Sequence, residues 1–123
     1  MTNDLNTLIN RYIEAWNETD GERRRELVAA TWTDDGTYLD PLMSGVGHDS
    51  IATMIGLAQE KFPGHRFELS FGPDAHNDAL RFAWTLYGPE GDAPAAGGVD
   101  FGTVADDGRL RSVTGFLESP SRA

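Results

Sequence analysis

The chain contains no cysteine, so it has no disulfide framework, no thiolate nucleophile and no cysteine-based zinc site, and nothing in it calls for an oxidising compartment. Basic residues are also scarce. Lys and Arg together number 10 against 20 Asp and Glu, a formal net charge of -10. That balance argues against nucleic acid or an anionic membrane as a partner and leaves a hydrophobic, uncharged small molecule as the expected ligand. No apolar run approaches the length that crosses a bilayer, and Met1-Thr2-Asn3-Asp4 lacks a basic segment leading into an apolar one. The expectation is a cytoplasmic protein without a membrane segment. The three histidines, His48, His65 and His76, are not spaced as ligands on one helical turn, so neither a metal nor another cofactor is expected. The glycines lack the strand-to-helix setting of a phosphate loop.

At 123 residues the chain fits one domain, residues 1–123, with no repeat or linker dividing it. Leu5, Leu8, Ile9, Tyr12, Ile13 and Trp16 recur at helical spacing, with Asn3 or Asp4 available as a cap. A second helix is predicted over Glu22 to Trp32, with Leu27, Val28, Thr31 and Trp32 on one side and Arg23 to Glu26 on the other. Asp34-Asp35-Gly36 reads as a turn into a short strand, Thr37 to Asp40, which Pro41 ends. Gly45 to His48 reads as a loop. Asp49 or Ser50 then caps a third helix carrying Ile51, Met54, Ile55, Ala58 and Phe62, stopped by Pro63-Gly64.

Beyond that helix the period changes from 3.6 to 2. His65, Phe67, Leu69 and Phe71 alternate with polar residues, as do Phe82, Trp84 and Leu86. His76-Asn77-Asp78 reads as a hairpin turn, Pro89 to Gly98 as a loose connection, Val99 to Ala105 as a strand, and Asp106-Asp107-Gly108 as the turn into a last strand, Arg109 to Leu117. The order ααβαββββ is α+β: a curved antiparallel sheet wrapped as a cone around three N-terminal helices, with an open mouth suited to a small-molecule pocket.

Three polar residues lie on or beside hydrophobic faces: Tyr12 in the first helix, Asp40 at the end of the short strand, and Asp100 within Gly98-Val99-Asp100-Phe101-Gly102. Alternation puts Asp100 on the face of Gly98 and Gly102, which is either the cavity face or the outer face. A buried carboxylate without a cation is costly enough to require a reason. Carbon-acid chemistry supplies one, with one carboxylate taking the proton while a phenol and a neutral carboxylic acid donate to the enolate oxygen.

Arg11-Tyr12-Ile13-Glu14-Ala15-Trp16-Asn17, Asp34 to Pro41, and Val99-Asp100-Phe101 with Gly108-Arg109-Leu110 resemble ketosteroid isomerase, in the same order and with similar spacings over nearly the whole chain. The resemblance implies the cystatin-like, nuclear-transport-factor-2-like cone shared with the SnoaL-like polyketide cyclases. It implies Tyr12 and a protonated Asp100 as the oxyanion donors and Asp40 as the base; this enzyme is the standard example of a carboxylic acid kept neutral by an apolar site. Where some relatives carry supporting tyrosines, this chain has Trp32 and Ile55.

Trp16, Trp32, Trp84, Phe67, Phe82 and Phe116 are read as core or cavity lining, joined by Tyr38 and Ile55, with His65 at the rim as a second acid–base candidate. Two other readings remain open at this stage. One is a non-catalytic ligand-binding or dimerisation module. The other is an epoxide hydrolase, which needs an inward arginine between the aspartates, with Arg81 and Arg111 the candidates. A homodimer is expected through the outer sheet face, with Arg81, Thr85, Tyr87, Arg111 and Val113 as its surface.

Overall fold

A computed structural model of the protein describes residues 2–91 and 93–118. Helix α1 spans Thr2–Asn17, and Leu8, Ile9, Tyr12, Ala15 and Trp16 form its buried stripe, the helical spacing read from the sequence. It starts ahead of both expected caps. Helix α2 spans Gly21–Thr31 and is capped by Asp20, whose carboxylate accepts from the backbone N–H groups of Glu22 and Arg23 at 3.0 and 3.4 Å. Strand β1 spans Trp32–Leu39, β2 Ser44–Val46, and helix α3 His48–Lys61. The long strands follow: β3 Arg66–His76, β4 Ala79–Tyr87, β5 Pro94–Val104 and β6 Leu110–Glu118.

The six strands form one sheet in the order β2-β1-β6-β5-β4-β3. It is mixed: β1 runs parallel to β6, while every other neighbouring pair is antiparallel. This is the expected α+β cone, except that the parallel β1–β6 pair makes the sheet mixed where an antiparallel one is expected, and three further differences lie at its first strand. Trp32 opens β1 instead of closing α2, because its backbone is extended at the helix end (φ -105, ψ 150). Asp34 to Gly36 is an irregularity within β1, not a turn before it. Gly45 to His48, read as a loop, instead carries the last two residues of β2 and the first of α3, and β2 pairs with β1 through Thr37–Val46 and Leu39–Ser44. Helix α3 consequently starts after Gly47 (φ 85) without a side-chain cap, and Ser50 Oγ accepts from the Val46 N–H.

Bulges also change which residues face the core. Between Leu69 and Phe71 the β3–β4 register slips by one, so Phe71 turns outward and is 60 % exposed, although it continues the alternation of Phe67 and Leu69. A slip at the start of β6 turns Val113 inward, where it is buried and unavailable to an outer surface. Arg81 and Arg111 do lie outside, paired with Asp74 and Asp78, and Tyr87 lies under the Arg66 guanidinium.

The core joins the stripe of α1, Leu27 and Val28 of α2, and Ile51 and Ile55 of α3 to the inner sheet residues Trp32, Phe82 and Leu110. Side chains of this size each contribute about 1.5–3 kcal/mol when fully buried. Two polar clamps hold the wide end. Asn17 exchanges two hydrogen bonds with the backbone of Phe67, at 2.9 and 2.7 Å. Gln59 Nε2 donates to the carbonyls of Trp16 and Glu18 at 2.9 and 2.8 Å, tying α3 to the open carbonyls at the end of α1.

Candidate active site

Strand β5 is inverted relative to a usual half-buried strand: Gly98, Asp100 and Gly102 point into the cone, while Phe101 points out. Asp100 is therefore on the cavity face, and only 2 % of it is exposed. Two neutral donors meet it. The Tyr12 hydroxyl, from α1, donates to Oδ2 at 2.6 Å, and the Trp84 indole N–H, from β4, donates to Oδ1 at 3.1 Å. No cation pairs with it among the described residues.

Glycines across the ladder make this possible. Asp100 sits opposite Gly115 of β6, where a Cβ would lie 2.7 Å from Asp100 Oδ1, 3.3 Å from the Tyr38 hydroxyl and 3.4 Å from Asp40 Cβ. Gly115 is thus the common floor under both acids. Trp84 sits opposite Gly98, where a Cβ would lie 2.6 Å from its Cζ2. With that space open, the indole leans over β5 to reach the carboxylate two residues on.

Asp40 leaves β1 just before Pro41. Its Oδ1 accepts from the backbone N–H groups of Leu42 and Met43 at 2.8 and 2.9 Å, an Asx-type turn that fixes the chain's exit. Its Oδ2 accepts from the Tyr38 hydroxyl at 2.6 Å. Three donors orient this carboxylate, and Oδ2 keeps a lone pair for a further proton.

Tyr12, Tyr38, Asp40 and Asp100 line one chamber of about 110 Å³. Trp16, Phe67 and Trp84 complete its aromatic wall, and Leu42, Phe62 and Leu117, all substantially exposed, stand where it opens. Burial dominates the electrostatics. It pushes the carboxyl of Asp100 up, the Tyr12 and Trp84 hydrogen bonds pull it part of the way back, the charge of Asp40 adds to the rise, and the net result lifts it from 3.8 to about 6. Burial first, and then the charge of Asp100, push both Tyr12 and Tyr38 above the usual phenol range. At neutral pH both phenols are proton donors.

The remaining expected lining residues divide by depth. Trp32, Ile55 and Phe82 are wholly buried in the core beneath the chamber. His65 lines a neighbouring depression that shares Trp16, Phe62 and Phe67 as a wall, and its Nδ1 lies 3.1 Å from the Pro63 carbonyl. Phe116 is outside, edge-on to Phe101 with ring centres 5.8 Å apart. Neither Arg81 nor Arg111 faces the chamber, so the pairing that epoxide hydrolysis needs is not formed by them.

Sequence reasoning missed the Trp84–Asp100 bond, the Tyr38–Asp40 bond and the role of Gly115. Cross-strand register alone reveals the first and the last, whereas the i, i+2 spacing of Tyr38 and Asp40 on one face is the signal that could have found the second. The indole N–H groups of Trp16 and Trp32 are buried without a partner among the described residues. Trp16 stands close enough to the Tyr12 hydroxyl to favour its ionised form slightly, leaving a spare donor beside that oxygen.

The family model of the SnoaL-like domain matches residues 9–113. Among solved structures, a proposed isomerase of the SnoaL-like family from Agrobacterium tumefaciens is 47% identical, with a TM-score of 0.89 over 97% of this chain and 100% of that one. A cystatin-like protein of unknown function from Nostoc punctiforme is 17% identical, with a TM-score of 0.76 over 98% of this chain and 92% of that one. A proposed polyketide cyclase from Sinorhizobium meliloti is 17% identical, with a TM-score of 0.68 over 89% and 93%. The last two establish the fold alone. No curated protein matches the chain.

Proposed function

The chain belongs to the SnoaL-like domain family, and from that premise we propose that it is an enzyme that moves a proton at carbon in a hydrophobic carbonyl compound, through an enolate. The observation that carries this reading is the convergence of two carboxylates and a phenol on one apolar chamber, with no cation from the described residues beside either acid. Asp40 Oδ2 takes a proton from the carbon next to the carbonyl. The C–H electron pair moves into the carbon–carbon bond, and the carbonyl π pair moves onto oxygen. Tyr12 donates to that oxygen. Neutral Asp100 reverses its hydrogen bond, giving a proton to the Tyr12 oxygen or to the enolate itself, while Trp84 keeps its other oxygen in place. Return of the proton from Asp40 to a different carbon completes an isomerisation; attack of the enolate carbon on a second carbonyl gives an aldol-type cyclisation.

Exchange of carbon-bound hydrogen in D2O tests this without knowledge of the natural substrate. Cyclopentenone or cyclohexanone incubated with the protein is expected to gain deuterium beside the carbonyl faster than in buffer, as read by NMR. Exchange at the buffer rate for every small ketone tried removes the enolate reading.

The partner we propose is a second copy of the chain, meeting through the outer sheet face. The support is the apolar group of Phe71, Phe101 and Phe116 on that face, each 43–60 % exposed. Light scattering at micromolar concentration is expected to give twice the mass of one chain, and Phe101→Asp is expected to halve it. A monomeric wild-type protein excludes the pairing.

A further inference from the structure

The chamber is small for its chemistry, and one side chain makes it so. The indole of Trp84 is fixed at both ends: its N–H on Asp100 Oδ1 at 3.1 Å, and its ring edge-on to Phe67 with centres 5.3 Å apart. It lies over Gly98, in space that any other residue there would occupy. What remains is about 110 Å³. A dry cavity of about 150 Å³ accommodates benzene, and pockets for drug-sized ligands run from roughly 300 Å³ upward. A steroid-sized skeleton does not fit behind the mouth.

We propose that Trp84 is the specificity-determining residue of this site and that the substrate is a compact carbonyl compound placing no more than one small ring beside Asp40 and Tyr12, with any larger substituent projecting past Leu42 and Leu117. This rests on the enolate reading for the role of the carbonyl, and on the geometry of the chamber for its size. Trp84 thereby has two separable roles. Its bulk takes up the side of the chamber between Phe67 and Asp100, and its N–H holds one oxygen of Asp100 so that the other faces Tyr12.

The test compares benzene with naphthalene, and phenol with 2-naphthol, binding to the full chain and to Trp84→Phe and Trp84→Ala, by ligand-observed NMR. The wild-type protein is expected to favour the one-ring member of each pair by at least about tenfold, the discrimination that a misfit in an apolar pocket commonly provides. Trp84→Phe keeps the preference and Trp84→Ala loses it. Should the alanine variant not fold, Trp84→Leu is expected to relax the preference in the same direction. Naphthalene binding to the wild type as well as benzene, a preference unchanged in the alanine or leucine variant, or no binding of any of the four compounds to the wild type overturns the assignment. The hydrocarbons carry no oxygen and report size alone. If they discriminate while the phenols bind no tighter than they do, the oxyanion reading fails and the size limit stands.

Discussion

Asp40→Asn is expected to lower the rate of enzyme-dependent deuterium exchange by about two to four powers of ten, the usual contribution of a positioned base. Structural consequences are expected to be slight. An asparagine side-chain oxygen can still accept from the Leu42 and Met43 N–H groups, so the turn at Pro41 survives. What is lost is the lone pair on Oδ2 that takes the substrate's proton; in its place stands an amide nitrogen able only to donate, here toward the Tyr38 oxygen. Exchange rates measured with and without the substitution, alongside urea denaturation of both proteins, separate chemistry from folding. An unchanged rate in a folded Asp40→Asn protein removes Asp40 from the reaction.

Asp100→Asn is expected to stabilise the protein at pH 8 and to cost it activity below about pH 6, where the wild-type acid is neutral. The carboxyl ordinarily titrates near 3.8 and in the fold near 6, so between these values the native state holds a proton that the unfolded chain has released. Stability contributed by the neutral acid is therefore fully present below about pH 4 and is lost as pH rises through about 6. The separation corresponds to on the order of 3 kcal/mol. Asparagine carries no such penalty. Its oxygen accepts from Trp84, and its amide nitrogen donates to the Tyr12 oxygen once that hydroxyl turns toward the chamber. Its advantage over the wild type, read from urea melts, is expected to be absent at pH 4 and full at pH 8. Below about pH 6, where the wild-type acid carries its proton, exchanging that strong donor for the weaker amide N–H is expected to slow exchange by about tenfold or more, short of the roughly 3 kcal/mol that complete loss of an oxyanion donor costs. A stability difference that does not vary with pH means that Asp100 is not the buried, raised acid described above.

Physical periodicity made much of this molecule legible in its sequence. The stripe Leu8, Ile9, Tyr12, Ala15, Trp16 defines a helix face without any tertiary information, and the period-two residues Phe82, Trp84 and Leu86 define an inner sheet face. Tyr12, Asp40 and Asp100 stood out because each is polar where the pattern is apolar, and because together they resemble a family's site. Register was not legible. Nothing local says that Asp100 faces Gly115, or that Trp84 faces Gly98, since both facts depend on how separated strands align.

The same gap explains Phe71 and Val113. Each follows a bulge that shifts the alternation by one, and a bulge of ordinary residues leaves little mark on composition. Trp32, Ile55 and Phe82 were indistinguishable from Phe67 and Trp84 for another reason. All five face the inside of the cone, and only their depth decides which touch the core and which line the void. At Gly45 the short β2 escaped notice because its three residues carry no alternating pattern and are recruited by the edge of β1.

The most direct test is the protonation of Asp100 itself, followed by the 13C shift of its labelled carboxyl carbon as pH is varied, with Asp100→Asn providing the assignment. A midpoint near 6 is expected, moving upward in Tyr12→Phe and in Trp84→Phe as each donor to the carboxylate is removed. A midpoint near 4, as in a solvated aspartate, and indifferent to both substitutions, would contradict the apolar, donor-lined chamber from which the chemistry is drawn.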